Sequence, residues 1–334
     1  MSDLLRSPKF QLIYRGTDIS GDMDPMTTSI SYTDHVHGKA NEISVAVHDK
    51  DGRWKGSWKP EHGDKMQLTI FDGAGGILPC GEFEMDEPDA SGSRSGDTMT
   101  IRGMAAPITK ALRTKKTRGF EFQSIRNIVE KVVSDLGLSL EGQIKDHTFA
   151  RVTQRRERDL EFLKRFAEET GHYFSVRGLR ATFTSLTSID GQGPAFDIFH
   201  GDRSLIDYKF KLKSKGTFSK AKATYLSQNS GKTVAYEEVD PTVSTGDTLR
   251  ISGERLENAA HAEMRAKSAL HFANRKKFTG SVKLVGNTRA IAGNTANLTG
   301  FGGYSGKRLI NSSNHTLSRG GYVSSAELLH AITE

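Results

Sequence analysis

Arg155-Arg156-Glu157-Arg158-Asp159-Leu160-Glu161-Phe162-Leu163-Lys164-Arg165-Phe166-Ala167-Glu168-Glu169-Thr170-Gly171 reads as one amphipathic helix. Leu160, Leu163, Phe166 and Ala167 recur at spacings of three and four, so one side is apolar while Glu161, Lys164, Arg165, Glu168 and Glu169 stay in water. Asp159 stands where a carboxylate suits the unpaired N–H groups and positive dipole of a helix start, and Gly171 where a left-handed residue ends the helix. Beyond the glycine, Tyr173-Phe174-Ser175-Val176, a turn at Arg177-Gly178 and Ala181-Thr182-Phe183-Thr184 predict a β-hairpin. Helix and hairpin together make a small packing unit.

Upstream, period-2 runs follow one another: Phe10, Leu12 and Tyr14; Ile43, Val45 and Val47; Met66, Leu68 and Ile70; Met99 and Ile101. Turn chemistry such as Asp49-Lys50-Asp51-Gly52, His62-Gly63-Asp64 and Asp72-Gly73 separates them. Strands at this spacing without long helices predict a small antiparallel barrel or sandwich over residues 1–110. Within it, Arg53-Trp54-Lys55-Gly56-Ser57-Trp58-Lys59-Pro60 reads as a loop folded back on the strands rather than a stacking platform for bases.

A middle α+β domain is expected over residues 111–200. It opens with the basic run Arg113-Thr114-Lys115-Lys116-Thr117-Arg118, read as a solvated linker or protein contact, and a helix from Ser124 to Gly137. Residues 201–334 predict a second barrel with a flanking helix. Tyr208, Phe210 and Leu212 alternate with Lys209, Lys211 and Lys213, giving one expected core face and one row of ammonium groups that protects an edge or meets an acidic neighbour. Further strands are expected near Ala221–Tyr225, Thr233–Glu237, Thr248–Ser252, Gly280–Leu284, Thr295–Thr299, Arg308–Ser312 and Tyr322–Leu328, and Ala262, Ala266 and Ala269 line a helix between Asn258 and Asn274. The octapeptides starting at Gly96-Asp97 and Gly246-Asp247 echo each other, which duplication or convergence of strand starts explains equally well.

Composition bounds the chemistry. The 334 residues carry a net charge of +7 and 34 glycines, in keeping with many short strands joined by tight turns. Cys80 is the lone cysteine, so neither an intramolecular disulfide nor a cysteine zinc site is available. No run approaches the length of a membrane span, and the first residues do not read as a signal peptide, which points to a reducing cytoplasm. His35 and His37 lack a third ligand at a recognisable spacing, and Gly300-Phe301-Gly302-Gly303-Tyr304-Ser305-Gly306 follows no βα unit and reads as a turn. Glu82, Glu84, Asp86, Glu87 and Asp89 are dense enough for glycosidase chemistry, but clustering sets no separation across a cleft, and a solvated edge or partner-facing patch is the simpler reading. No catalytic residue, cofactor site or metal site is expected.

Five motifs in order resemble the late control D family, the baseplate hub proteins of contractile phage tails and of phage-tail-like bacteriocins. They are Tyr32-Thr33-Asp34-His35-Val36-His37-Gly38-Lys39-Ala40-Asn41-Glu42-Ile43; Asp51-Gly52-Arg53-Trp54 with Pro60 and Gly63-Asp64; Leu112-Arg113-Thr114-Lys115-Lys116; Asp159-Leu160-Glu161-Phe162-Leu163 through Gly171; and Ala292-Gly293-Asn294-Thr295 with Gly300-Phe301-Gly302. The family pattern often has Ser or a similar cap before the Asp159 helix, where this chain has Arg158. The resemblance implies two tail-tube-like barrels per subunit and a homotrimer forming a pseudo-sixfold ring. It also implies a spike protein, a tail tube protein and other baseplate proteins as partners, with DNA only as passing cargo and no stable membrane association. The implied location is the baseplate of a virion tail or tail-like particle assembled in the bacterial host cytoplasm. A tail-associated cell-wall hydrolase and a nucleic-acid-binding protein are the rival readings. The candidate partner-contact residues are Arg113, Lys115, Lys116, Arg118, Arg155, Arg156, Lys164, Arg165, Lys209, Lys211 and Lys213.

Overall fold

The computed structural model describes residues 7–94, 96–105, 114–226, 231–244, 246–252 and 254–332. The first part is mainly strand: β1 (Lys9–Tyr14), β2 (Thr17–Asp18), β3 (Thr27–His35), β4 (Glu42–His48), β5 (Lys65–Phe71), β6 (Ile77–Ser93) and β7 (Gly96–Met104), with short helical turns at Ser20–Met23 and Arg53–Lys55. The middle alternates β8 (Lys116–Ser124), the helix Ile125–Asp135, β9 (Ser139–Glu141), β10 (Thr148–Glu157), the helix Asp159–Thr170, β11 (His172–Arg177), β12 (Arg180–Ser185) and the short helix Leu186–Gly191. The last part holds β13 (Phe196–Phe199), β14 (Leu205–Leu212), β15 (Phe218–Leu226), β16 (Thr233–Val239), β17 (Asp247–Ile251), the helix Ala259–Asn274, β18 (Phe278–Val285), β19 (Thr295–Thr299), β20 (Gly306–Ser318) and β21 (Gly321–His330). The fold is a β-rich α+β fold.

One strand path runs through both ends of the chain in the order β14-β18-β21-β20-β3-β4-β7-β6-β5-β1-β2, with β19 and then β13 branching from β20. The two ends meet where β20 pairs antiparallel with β3, from Ser312 opposite His35 to Ser318 opposite Ser29. Alternation places Ile30, Tyr32, Ile43, Val45, Val47, Met66, Leu68, Ile70, Phe83, Met99 and Ile101 in one core. Phe196, Ile198, Phe278, Val282, Leu284, Ile310 and Leu328 make another. Trp54 is buried in the first core and meets Trp58 edge-on at 5.7 Å, so the tryptophan segment does fold back on the strands.

The helix Asp159–Thr170 fixes the middle unit. Phe162, Leu163, Phe166 and Ala167 are buried, and Phe162 stacks on Phe166 with ring centres 5.6 Å apart and on Phe120 at 5.7 Å. Phe162 belongs to the buried stripe although the three-and-four reading omitted it. Gly171 ends the helix at φ 74, a left-handed conformation that costs glycine nothing. At the start, Arg158 takes the place of the usual cap, and the N3 carboxylate of Glu161 accepts a 2.9 Å hydrogen bond from the Arg158 N–H. Asp159 lies in the first turn of the helix as its position suggested, and its carboxylate also turns inward to cations, described below.

The helix Ala259–Asn274 lays Ala262 and Ala266 against Ala221 and Ala223 of β15, the close approach that small residues permit. Its Ser268 hydroxyl also donates to the Glu168 carbonyl at 2.6 Å, tying it to the central helix. Three expectations are corrected here. The basic run is not wholly a linker, because Lys116 begins β8, which pairs with β10 through Gln154 opposite Arg118. The Gly-Asp echo does not mark equivalent strands: β7 lies between β4 and β6 in antiparallel pairing, whereas β17 pairs parallel with β15 in a separate sheet. Finally, the expected core face of β14 is only partly covered: Leu205 and Phe210 pack on the second core, but Tyr208 is 42% and Leu212 56% exposed. The cause is position: among the described residues β14 pairs only with β18 and forms an end of the path, so little packs across its far side.

Candidate partner interface

The candidate cations divide into those folded inward and those left outward. Lys116 and Arg118 face inward along β8 and meet on Asp159, which is fully buried: Lys116 Nζ lies 2.6 Å from Asp159 Oδ2 and Arg118 Nη2 2.9 Å from Oδ1. Arg118 also donates to Gln154 Oε1 at 2.8 Å and to Asp135 Oδ2 at 2.6 Å, while its guanidinium lies over the Phe120 ring. Gln154 Nε2 donates to Asp159 Oδ1 at 2.9 Å. Taking a carboxylate out of water is costly unless its oxygens are matched by charge and hydrogen bonds, which is what these partners supply.

Arg165 repeats the pattern on the helix surface. Its Nε and Nη2 grip the two oxygens of Glu157 at 2.7 and 2.8 Å, Nη1 reaches Glu169 at 2.9 Å, and Nη2 also donates to the Thr153 carbonyl at 3.1 Å. The hydrogen bond from Arg165 holds the Glu157 carboxyl below the usual carboxylate range, against burial. Arg118 and Arg165 therefore hold the middle unit together.

Of the other candidates near the helix, Lys115, Arg155, Arg156 and Lys164 are exposed, and Arg113 lies outside the described residues. Arg156 sits at φ 51 beside the bulge where β10 slips its register between Arg155 and Glu157, which swings the two arginines outward. The Lys164 stem covers Gly38 so closely that a Cβ there would come 2.7 Å from Lys164 Cε. Gly38, at φ 74, also donates its N–H to the Phe174 carbonyl at 2.8 Å, so the β3–β4 loop is stitched to the middle unit at this point.

Two buried charge clusters fasten the units to one another. Asp34 of β3 is fully buried; Arg177 Nη2 of β11 donates to its Oδ2 at 3.0 Å, the Ala292 N–H donates to the same oxygen at 2.9 Å, and the Ser313 hydroxyl of β20 bonds Oδ1. Asp190, at the end of the helix Leu186–Gly191, is bonded by Arg275 and lies 2.9 Å from His271 Nε2, and the Arg275 guanidinium lies over the Tyr173 ring. One cluster joins first strands, middle unit and last strands; the other anchors the helix Ala259–Asn274.

Lys209 and Lys211 on β14 and Lys213 just beyond its end are all exposed. Beside them lies a surface the alternation did not reveal: Tyr208 and Phe210 gather His200, Phe301 and Tyr304, with Tyr208 to Phe301 at 5.1 Å, Phe210 to Phe301 at 5.2 Å and Phe210 to Tyr304 at 6.0 Å. The glycine-rich turn Gly300–Gly306 supplies two of these rings, a role its sequence gave no sign of. The acidic residues Glu87 and Asp89 are exposed on the distal half of β6, with Glu87 3.5 Å from Arg102. His37 is engaged by Glu168 at 3.0 Å and accepts from the Phe174 N–H at Nδ1.

Comparison with known proteins adds the family context. No family model matches the chain. It is 22% identical over 226 residues to the probable baseplate hub protein of Escherichia phage 186, covering 66% of this chain and 56% of that protein. It is 24% identical over 228 residues to the probable baseplate hub protein of Escherichia phage P2, covering 66% and 57% respectively. Both of these relatives are probable phage baseplate hub proteins. The chain spans just over half the length of these hub relatives. Among solved structures, the 43 kDa tail protein of prophage MuSo2 from Shewanella oneidensis shares the fold at a TM-score of 0.75, with 16% identity, over 97% of this chain and 99% of that one.

Proposed function

We propose that this chain is a structural, non-enzymatic subunit of a phage-type baseplate hub, three copies of which form a pseudo-sixfold ring between a tail tube and a central membrane-piercing spike. Other baseplate proteins surround the ring, DNA enters only as passing cargo, and the particle is a virion tail or tail-like body assembled in a bacterial host. The observation that carries this reading is the strand path itself. Two sheet portions, each with its own core, stand side by side and join at the β3–β20 seam. A subunit that must present two similar units to a six-subunit tube needs such a layout.

Each portion is read as a small barrel. In the first, Leu12 of β1 and Ile30 of β3 lie far apart in strand order and yet share one core, as they do when a sheet curls back on itself. In the second, Phe196 of β13 and Leu205 of β14 lie at opposite ends of the strand order and pack in one core. The division into a first barrel over 1–110, a middle α+β domain over 111–200 and a second barrel with its helix over 201–334 belongs to the same proposal. The chain's relatives do not favour the cell-wall hydrolase or the nucleic-acid reading.

Light scattering of the purified protein, alone and with the spike and tube proteins of the same particle, tests the proposal. A three-subunit mass that binds both partners is expected. A monomer at every concentration that ignores the spike refutes it, and peptidoglycan degradation lost on removing one carboxylate would favour the hydrolase.

A further inference from the structure

We infer that copies of this chain join head to tail by pairing the open edge of β14 with the open distal half of β6 in the next copy, with Lys209 and Lys211 set against Glu87 and Asp89. The inference rests on the ring reading given above and names the surface that closes the ring.

Both edges are open among the described residues. β14 pairs with β18 on one side only. β6 is 17 residues long and divided in its use: Ile77–Glu84 pairs with β5 and the Met85 N–H and C=O are taken by Asp64 and Gly63, whereas Glu87–Gly92 pairs with β7 and has no strand on its other side among the described residues. An open edge leaves alternate N–H and C=O groups without a ladder partner and is a template for another strand. The edge at β1 is different, because β2 pairs there and the Leu12 N–H and C=O are taken by Ser20 Oγ and the Ile19 N–H.

Strand direction fits as well. From β14 through β18, β21, β20, β3, β4 and β7 to β6 every neighbouring pair is antiparallel. These eight strands are an even number, so β14 runs opposite to β6 and a second copy continues the alternation unbroken. A contact between two different patches of one chain is heterologous and closes into a ring when the rotation allows.

The two faces also agree. Lys209 and Lys211 lie opposite Ser281 and Thr279 on the polar face, and Glu87 and Asp89 lie opposite Arg102 and Thr100 on the polar face of the other edge. On the core face Tyr208 lies opposite Val282, while Ala90 lies opposite Met99. Continuous pairing therefore puts ammonium beside carboxylate on one side of the sheet and the half-exposed rings of β14 beside apolar β6 residues on the other. Pro88 offers this edge no N–H, which weakens it as a general template and gives the charges more of the recognition.

The test compares association by light scattering across concentration for the wild type, K209E/K211E, E87K/D89K and the chain carrying all four substitutions. Each double variant is expected to associate at least about tenfold more weakly, since like charges then face each other, and the fourfold variant to regain the wild-type mass. An oligomer whose mass neither double variant changes overturns the edge assignment and leaves the ring reading standing. A wild type that is monomeric throughout and ignores the spike overturns both. Amide hydrogen exchange on the wild type at low and high concentration gives a readout independent of variants: Leu205–Leu212 and Glu87–Ser93 gain protection together if they pair, and unchanged exchange in the assembled protein rejects the inference.

Discussion

The strands and helix around Asp159 and the edge strand β14 both interleave cations with apolar side chains, yet their charges end in opposite places. Around Asp159, two strands and a helix converge, so Lys116 and Arg118 find a buried carboxylate and lose their freedom to meet a partner. On β14 one side of the strand is open, so Lys209 and Lys211 stay in water and the rings between them are only half covered. The number of elements that meet at a residue decides whether its charge is spent on the fold or kept for an interface. Substitutions in the first region should therefore read out in folding, and those in the second in assembly.

The sharpest contrast comes from removing a ring. Phe166 packs against Phe162, Phe149 and Phe183, at 5.6, 5.8 and 6.4 Å between ring centres, and is buried. Phe166→Ala is expected to cost about 4 kcal/mol in urea unfolding, as large-to-small changes in a close-packed core do. Asp159→Ala should come next, at about 3 kcal/mol, because it leaves two cations facing a buried gap. That is the low end of the range for breaking a buried pair, since Lys116 and Arg118 keep partial access to water. If Asp159→Ala left the urea midpoint in place, the network around it would be ornamental and the contrast between the two regions would fail.

Acidification tests the buried side by a third route. Burial lowers His172, His261 and His330 to about 4, and the Lys145 N–H donates to His172 Nε2 at 3.1 Å, a bond that needs the neutral ring. A base whose folded pKa is depressed binds fewer protons in the folded state than in the unfolded chain. Stability from these histidines is thus intact above about pH 6.5 and is lost as the pH falls toward 4, on the order of 1 kcal/mol for each at pH 5.5. Urea midpoints at pH 7.0 and 5.5 measure the slope, and His172→Gln should flatten part of it.

This division also explains what the sequence disclosed. The helix Asp159–Thr170 was legible because its buried stripe, its Gly171 stop and its length all act through neighbours in sequence. The strands with clean alternation, such as Glu42–His48 and Lys65–Phe71, were legible for the same reason. β3 is not legible as a strand because its inward residues are Ile30, Tyr32 and the charged Asp34, which breaks an apolar count. Asp34 is tolerated there only because Arg177, Ala292 and Ser313 reach it from distant parts of the chain, a coincidence that spacing does not encode. Likewise the basic run resembled a linker because Asp159, its counter-charge, lies some forty residues on. Lys209, Lys211 and Lys213 were legible as an outward row, but the open far side of Tyr208 and Leu212 follows from strand order, which no local pattern sets.

The smallest expected effect on folding carries the most information about the edge. Tyr208→Ser removes a ring that is 42% exposed and touches His200, Phe210 and Phe301 at the margin of the second core. Substitutions at such positions shift stability by roughly 0.5 kcal/mol, and the lost edge-to-face contacts raise this to no more than about 1 kcal/mol. In the edge pairing inferred above the same ring would lie at the centre of the paired edge, where truncating a desolvated aromatic costs about 2 kcal/mol or more of binding. Urea unfolding under monomeric conditions and the concentration dependence of light scattering separate the two: a variant that unfolds like the wild type but associates more than about tenfold more weakly assigns Tyr208 to assembly. A variant that loses folding stability and association in equal measure would make Tyr208 part of the core, and β14 would then be a finished edge rather than an unfilled one.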